Sequence, residues 1–475
     1  MRVVDTARFL DDLHALLGPA GLQTDPADFA GALVDHLGVF RGQALALARP
    51  ASVAEVQATV RTCADHDIAV VPQGGNTSYC GGATPPTDRP ALLLSLSRLN
   101  RVRAVDPAGF TLTVDAGVTL GQAREAAGAA RRLFPLSLGS EGTCQIGGNL
   151  STNAGGTAVL RYGMMRELVL GLEVVLPDGR LLDQLSVLRK DNTGYDVKQW
   201  FLGAEGTLGV ITGACLKLFP VPPAQVTGLV GVDGLAAAVR LLGEVREAFG
   251  DAVTAFEYVP AIGIELFRRN VAAHGFPLEV VHPGQILLEL DAQADDGTLE
   301  TRLAEWLLAH PLVREATLAQ SGAQREALWF LRENIPAAQR VEGYSLKHDV
   351  SLPIDRLALF HEEAATTLAA RYPDLRLVAY GHVGDGNLHF NLSPAAGLPP
   401  DIGAQRLQSV RDEVRRYVHD LVAMHRGSFS AEHGIGQAKV GELARYEDEV
   451  ALELMKRMKT ALDPRGLMNP GKLFA

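Results

Sequence analysis

The sequence predicts an α+β protein of two domains with a C-terminal segment. Helical and strand-like apolar spacings alternate along the chain from about residue 51 onward. A cluster of prolines in Leu218–Pro223 interrupts this pattern, and clustered prolines stop both helices and strands. The 475 residues and the hydrophobic fraction of 47% suffice for substantial cores. We therefore expect a first domain over residues 1–222, a second over 223–425 and a C-terminal segment over 426–475.

The same periodicities predict the elements in chain order. The first domain should contain a helical lead-in over 1–50, a helix over 53–63, and strands at 68–71, 91–96 and within 102–118, interrupted at 106–109. The second should contain strands at 229–232 and 285–290 and helices at 235–249, 297–310 and 404–425. One more helix is expected at 447–462.

Composition and charge narrow the classes of partner. The net charge of −11 argues against nucleic acid as the main partner, and no apolar run is long enough for a membrane span. The N-terminus has neither an apolar signal core nor an acid-poor, arginine-rich transit segment. The four cysteines are scattered without CxxC spacing: Cys63, Cys80, Cys144 and Cys215. We therefore expect a cytoplasmic protein with reduced thiols.

The segment Tyr380–Asn391 predicts a hairpin that carries two histidines. Asp385–Gly386 is typical of a two-residue type I′ turn, in which both residues need a positive φ. Counting outward from that turn sets His382 opposite His389, and Asn391 falls on the same face. Directly opposed residues have Cβ atoms roughly 4.5–5.5 Å apart. Two imidazoles at this spacing can bind one metal ion, although histidines in strands are often ordinary core or surface residues.

A second segment, Ser430–Gly436, offers a further ligand. Glu432 and His433 stand there between small residues that allow the backbone to approach a ligand. Two histidines and a glutamate leave a coordination position open, as in catalytic zinc sites. Zinc is the first expectation, but manganese, iron or cobalt also bind nitrogen and oxygen ligands. His433 is then available as a proton acceptor.

Three glycine-rich loops characterise the first domain, at 70–83, 137–157 and 203–211. They match neither the Walker loop nor the Rossmann fingerprint. They are low in charge and rich in glycine, threonine, serine and asparagine. This composition suits a large phosphorylated cofactor that is held by backbone amides.

At these motifs the chain resembles a known family of flavoproteins. The loops, together with Arg189–Asp196, resemble the FAD-binding domain of the vanillyl-alcohol-oxidase (PCMH) type. Residues 380–391, 430–436 and 463–474 resemble the FAD-linked oxidase C-terminal domain. Within the family, the resemblance is strongest to the enzymes that oxidise D-2-hydroxyglutarate, while D-lactate dehydrogenases and glycolate oxidase subunits are more distant. The resemblance implies a PCMH-type FAD-binding domain, a ferredoxin-like substrate (cap) domain and a C-terminal helical segment that returns to the FAD-binding domain.

The resemblance also implies roles for individual residues. His382, His389 and Glu432 would bind the metal, His433 would be the base, and Arg332, Lys347, Asn391 and His433 would contact the substrate. The residues expected to bind FAD are Pro72, Gln73, Gly74, Gly75, Asn76, Thr77, Ser78, Gly81, Gly82, Gly142, Thr143, Gly147, Gly148, Asn149, Thr152, Asn153, Gly155, Gly156, Glu205, Gly206, Gly209, Val210, Ile211 and Asn469. Many relatives attach FAD covalently through a histidine in the first loop, and no histidine stands there in this chain. We therefore expect non-covalent FAD.

One position departs from the family pattern. Four residues after Arg332, where the hydroxyglutarate enzymes have threonine, this chain has Pro336. Proline offers no hydrogen-bond donor, so the distal end of the substrate pocket should differ. A shorter diacid such as D-malate therefore stays open as a substrate.

The expected activity is an FAD-dependent dehydrogenase that converts a D-2-hydroxy acid, D-2-hydroxyglutarate first, to the 2-oxo acid. Alternatives are a D-lactate dehydrogenase or glycolate oxidase subunit, a flavin-free metal hydrolase, and a subunit that holds FAD without turnover. The resemblance implies an electron-transfer flavoprotein or a quinone-linked chain as the electron acceptor, and a homodimer as the assembly.

Overall fold

The computed structural model describes residues 5–271, 275–292, 294 and 297–474. The chain forms two compact units. Unit 1 comprises Met1–Gly156, Gly163–Val221 and Glu432–Ala475, and unit 2 comprises Thr157–Tyr162 and Pro222–Ala431. No helix in the described ranges is long and apolar enough to cross a membrane.

Unit 1 contains two main sheets. One is four-stranded, in the order Leu22–Gln23, Ala46–Ala48, Ala91–Ser95, Ala69–Gln73. The other is five-stranded and antiparallel, in the order Val102–Asp106, Thr111–Asp115, Val210–Lys217, Val169–Val175, Leu181–Gln184. A two-stranded pair joins Arg132–Leu133 to Phe219–Pro220.

Unit 1 also contains α-helices and 3₁₀-helices. They are Thr6–Gly21, Pro26–Leu33 (3₁₀), Val53–His66, Leu120–Ala129, Ile146–Ser151, Met165–Leu168, Val197–Trp200 (3₁₀), Val440–Tyr446 and Glu449–Leu462. The predicted helix at 53–63 is confirmed. It begins where the Ser52 side chain accepts from the N–H of Glu55 and ends at Asp67 in the left-handed region. The predicted helical lead-in over 1–50 is only partly correct, because this segment also contains two of the strands.

Unit 2 contains a four-stranded antiparallel sheet with a ferredoxin-like strand order. The order is Val253–Pro260, Gly284–Asp291, Gln225–Val232, Glu315–Leu318. The helix Leu235–Phe249 follows the strand Gln225–Val232, and the helix Thr298–Ala309 follows Gly284–Asp291. Leu235–Phe249 has the predicted bounds because its buried side chains recur at helical spacing, at Leu235, Ala238, Leu241, Leu242 and Val245.

The second sheet of unit 2 is three-stranded and carries the histidine hairpin. Its order is Asp349–Ser351, Asn387–Pro394, Leu375–Tyr380, and both pairings are antiparallel. The remaining helices of unit 2 are Val159–Tyr162, Gly250–Ala252 (3₁₀), Ala261–Asn270, Gly322–Glu333, Ile335–Val341, Ile354–Arg371, Val383–Asp385 (3₁₀) and Pro400–Met424. Phe360 and Phe390 pack their rings together, with centroids 5.2 Å apart, in the core behind this sheet.

Candidate active site

The three glycine-rich loops of unit 1 meet at the end of the strand Ala69–Gln73. A Cβ atom built on Gly75 would lie 2.2 Å from the carbonyl oxygen of Thr143, so the first and second loops touch backbone to backbone. A Cβ atom on Gly206 of the third loop would lie 3.1 Å from the ring of Pro72. Side chains at these positions would push the loops apart, which explains the glycines.

Asn469 ties the C-terminal segment of unit 1 to these loops. Its side-chain Nδ2 donates to the carbonyl oxygens of Gly82 (2.9 Å) and Glu205 (2.6 Å). Its backbone N–H donates to the carbonyl of Val70 at 2.8 Å. The residue is almost fully buried. Asn469 therefore links the first loop, the third loop and the strand that precedes the first loop.

The loops of unit 1 fit a cofactor that donates hydrogen bonds. The buried oxygens Gln145 Oε1 and Asn469 Oδ1 have no hydrogen-bond partner within the described ranges. A buried acceptor without a donor is costly, so a bound molecule that supplies one stabilises the loops. FAD carries such donors in its ribityl hydroxyls and flavin ring. A Cβ atom on Gly142 or Gly148 would meet nothing within 4 Å, so there is room for a ligand beside the backbone at both positions.

Some of the residues predicted to bind the cofactor form side-chain hydrogen bonds to the backbone of the protein itself. Gln73 Nε2 donates to the carbonyl oxygens of Ala32 (2.9 Å) and Ala83 (3.1 Å). Asn76 Nδ2 donates to the carbonyl oxygen of Val34 at 2.8 Å, and its backbone adopts a φ of 53°. These bonds hold the first loop in shape, so the backbone is the part of the loop that can contact a cofactor.

Glu205 connects the third loop to the segment that follows Glu432. Its Oε1 accepts from the N–H of Ile435 (2.7 Å) and its Oε2 accepts from the N–H of Gly436 (2.8 Å). Burial raises the pKa of Glu205, and the two backbone N–H groups oppose that rise. The resemblance assigns Glu205 to the cofactor, and in the structure its carboxylate also holds the segment that directly follows Glu432 and His433.

Glu432 and His433 are both half-buried, and each has neighbours in unit 1. His433 Nε2 lies 3.5 Å from Glu432 Oε1. The ring of His433 meets the ring of Tyr79 edge to face, with centroids 4.8 Å apart. Cys80 Sγ donates to the carbonyl oxygen of Gly434 at 3.4 Å. Sequence reasoning missed the contact with Tyr79, because more than 350 residues separate the two segments.

In unit 2, the predicted pairing of the histidine hairpin is wrong. His389 pairs with Tyr380, not with His382, and the chain crosses between the strands through a 3₁₀ turn at Val383–Asp385. Gly386 has a positive φ of 86°, but Asp385 does not, so the turn is not type I′. A Cβ atom on Gly384 would lie 2.4 Å from Leu160, so packing against another segment helps to set this loop.

The two histidine rings are nevertheless neighbours. The rings of His382 and His389 have centroids 5.6 Å apart and an interplanar angle of 77°. Asp349 pairs with His389 across the sheet, and its Oδ1 lies 3.9 Å from His389 Nδ1. Sequence reasoning missed Asp349, because its strand has only three residues and gives almost no periodic signal. Asp349 and His389, both in unit 2, thus offer a carboxylate oxygen and an imidazole nitrogen, which are donor types that suit zinc and related metals.

Glu257 contacts His382 and is a second residue that sequence reasoning missed. It is 1% exposed on the strand Val253–Pro260. Its Oε1 lies 2.6 Å from His382 Nδ1, and its Oε2 accepts from Arg332 Nε and Nη2, both at 2.8 Å. Burial alone would raise the pKa of Glu257, but the charges of His382 and Arg332 outweigh burial and lower it to about 2.

The other residues predicted to contact the substrate differ in how far they are buried. Asn391 is buried in the strand Asn387–Pro394, and its Nδ2 donates to Gln339 Oε1 at 3.0 Å. Lys347 is exposed. Pro336 occupies the first turn of the helix Ile335–Val341, where an N–H is not needed for helical bonding. Pro336, which departs from the family pattern, thus lies in the first turn of a helix that begins three residues after Arg332.

Two protein-family models match the chain. Residues 44–184 match an FAD binding domain, and residues 221–473 match the C-terminal domain of FAD linked oxidases. These matches and the strand order of unit 2 confirm the predicted fold class, a PCMH-type FAD-binding domain with a ferredoxin-like second domain.

The chain is also similar to named proteins over nearly its whole length. The mitochondrial D-2-hydroxyglutarate dehydrogenase of Bos taurus is 38% identical over 469 residues, which is 98% of this chain and 83% of the relative. The enzyme of the same name from Rattus norvegicus is 38% identical over 456 residues, covering 96% of this chain and 82% of the relative. A solved structure of p-cresol methylhydroxylase with bound substrate matches the fold with a TM-score of 0.78 at 16% identity, covering 98% of this chain and 96% of the other.

These names correct one expectation. The sequence was expected to encode a cytoplasmic protein, but both relatives are named as mitochondrial enzymes. The expectation rested in part on scattered cysteines, which indicate a reducing compartment but do not distinguish the cytoplasm from other such compartments.

Proposed function

The chain belongs to the FAD-linked oxidase family that includes the D-2-hydroxyglutarate dehydrogenases, and on that premise we propose that it oxidises a D-2-hydroxy acid to the 2-oxo acid. D-2-Hydroxyglutarate is the first candidate substrate, with 2-oxoglutarate as the product. The observation that carries the proposal is the pair of histidine rings 5.6 Å apart, with the buried Glu257–Arg332 ion pair behind them. A hydroxy acid needs both a binding site for its two oxygens and a cation for its carboxylate.

We propose that His382, His389 and Glu432 bind one metal ion, with zinc preferred and manganese, iron or cobalt as alternatives. The continuity of the chain supports including Glu432. The N–H of Ala431 donates to the carbonyl oxygen of Asp349 at 3.2 Å, and Asp349 pairs with His389 in the sheet. Glu432 directly follows Ala431 in the chain. Held by His382, His389 and Glu432, such an ion would supply Lewis-acid chemistry that lowers the pKa of the substrate hydroxyl.

His433 is proposed as the group that accepts the hydroxyl proton. Its edge-to-face contact with the ring of Tyr79 restrains the imidazole, and His433 Nε2 lies 3.5 Å from Glu432 Oε1. FAD, when bound non-covalently on the loops of unit 1, would supply the ring that accepts the hydride. The protein then supplies orientation and the proton acceptor.

Arg332, Lys347 and Asn391 are proposed to contact the substrate. A guanidinium has five N–H donors, and Glu257 accepts from two nitrogens of Arg332, so donors remain for a carboxylate. Pro336 offers no hydrogen-bond donor at the distal end of the substrate pocket, so D-malate should be tested beside D-2-hydroxyglutarate. For the reduced flavin we propose an electron-transfer flavoprotein or a quinone-linked chain as the acceptor, and for the assembly a homodimer.

The test is a His389→Ala variant, with His14→Ala as the control, because His14 is exposed in unit 1. Each purified protein is assayed with D-2-hydroxyglutarate, D-malate, D-lactate and glycolate against an artificial dye. Flavin absorbance and metal content are measured in parallel. We expect His389→Ala to lose turnover and metal while retaining FAD, and His14→Ala to match the wild type. Turnover that survives in a metal-free His389→Ala protein would refute the metal role, and a colourless wild-type protein would refute the flavoenzyme.

A further inference from the structure

We propose that Glu257 is a positioning residue that orients the metal ligand His382 and the substrate-binding Arg332 through one carboxylate. The inference rests on the proposed function, because it concerns residues proposed there as ligand and anchor. Glu257 lies in neither of the segments that carry the glycine loops or the histidine hairpin. Its role follows from how its two oxygens are used.

The two oxygens of Glu257 serve different partners. Oε1 lies 2.6 Å from His382 Nδ1, while Oε2 accepts from two nitrogens of Arg332 at 2.8 Å. An ionised carboxylate can only accept hydrogen bonds, so Nδ1 of His382 must carry the proton. A metal ligand must be a neutral imidazole, and with Nδ1 protonated the lone pair of that neutral form lies on Nε2. A carboxylate behind a histidine in this way fixes the tautomer and orientation that metal ligation requires.

The backbone next to Glu257 makes the arrangement rigid. Tyr258, the following residue, exchanges two hydrogen bonds with Gly381: its N–H donates to the Gly381 carbonyl (2.8 Å) and its carbonyl accepts the Gly381 N–H (3.0 Å). Gly381 directly precedes His382. His382 itself lies outside the strand, in the loop before the 3₁₀ turn, so strand pairing does not orient its ring. The side chain of Glu257 supplies that orientation, and the backbone of Tyr258 holds the loop at the right distance.

The same carboxylate restrains Arg332. The guanidinium is 7% exposed and lies over the ring of Tyr380, with its central carbon 5.2 Å from the ring centroid. Glu257 approaches two adjacent nitrogens of the planar group, which defines its tilt. Metal ligand and substrate anchor are thereby held in a constant mutual orientation, as selective recognition of an acid with both a hydroxyl and a distal carboxylate requires.

Glu257→Gln is the variant that tests this role, with Glu265→Gln as the matched control. Glu265 is an exposed glutamate of the same unit, on the helix Ala261–Asn270. Glutamine has nearly the shape of glutamate but only one accepting oxygen, so it cannot offer separate acceptors to His382 and Arg332. In the FAD-loaded, chelator-stripped protein, zinc affinity is measured by competition with a chelating dye. We expect Glu257→Gln to bind zinc about 10–100-fold more weakly and to retain FAD, and Glu265→Gln to match the wild type.

Steady-state kinetics supply a second readout. We expect Glu257→Gln to raise the KM for D-2-hydroxyglutarate even at saturating zinc, because Arg332 loses its restraint. A second variant, Glu257→Asp, keeps the charge, and we expect it to restore part of the zinc affinity; it also replaces Glu257→Gln in both assays if that protein does not fold. Equal zinc affinity and equal KM in the wild type and in the folded Glu257 variant would overturn the positioning role alone. A wild type that neither binds zinc nor oxidises any D-2-hydroxy acid would instead overturn the proposed function.

Discussion

Replacing Gly436 with alanine should destabilise the loop that carries Glu432 and His433. Gly436 has a φ of 52°, a conformation that costs an L-residue roughly 1–2 kcal/mol. A Cβ atom there would lie 2.0 Å from the carbonyl oxygen of Cys80, so the backbone must move. Forced overpacking of this kind adds about 1–3 kcal/mol. Movement would also strain the hydrogen bond from the Gly436 N–H to Glu205 Oε2. We therefore expect a loss of roughly 2–5 kcal/mol in unfolding free energy.

The assay is urea unfolding of the FAD-loaded protein, followed by circular dichroism and by flavin fluorescence. Gly441→Ala is the control, because Gly441 lies five residues further along, in the helix Val440–Tyr446, and a Cβ atom there would meet nothing within 4 Å. Alanine in a helix is favoured over glycine by roughly 0.5–1 kcal/mol, so the control should be neutral or stabilised. A Gly436→Ala protein as stable as Gly441→Ala would refute the reasoning, since the clash and the strained φ would then carry no cost.

Two further predictions concern proton transfer and pH. His433→Ala should retain metal and FAD but slow the rate of flavin reduction by roughly 10²–10⁴-fold, because the variant lacks the general base. Stopped-flow absorbance measures this rate, and an unchanged rate would assign the proton to another group. Burial lowers the pKa of Lys472 to about 8, against an ordinary value of 10.5. Because the unfolded chain binds more protons between these values, the stability contribution of Lys472 should rise as pH increases from about 8 to 10.5. Lys472→Met should lack this rise, and parallel urea titrations of both proteins at several pH values measure it.

Local patterns predicted the parts of the fold that depend on near neighbours in the chain. The helix Leu235–Phe249 lies where its periodicity indicated, because its apolar spacing defines a buried face. The strands Val102–Asp106 and Thr111–Asp115 lie within the predicted range 102–118, on either side of the predicted interruption. The predicted pairing of the histidine hairpin was wrong because the turn depends on a contact outside its own segment. Asp385–Gly386 is a strong turn signal, but the turn is also shaped by packing on Leu160, which lies in a distant segment.

The sequence by itself determined the chemistry that the chain offers: glycine loops for a phosphorylated cofactor, two histidines near each other, and a glutamate–histidine pair. Residue type and short-range spacing are sufficient for such statements. Only the tertiary structure decided how these groups are held. Glu257 lies 125 residues before His382 and 75 before Arg332, and Asp349 reaches His389 only through a three-residue strand. No periodic signal connects such positions, because hydrogen bonds and ion pairs between distant segments form only once the sheets have assembled.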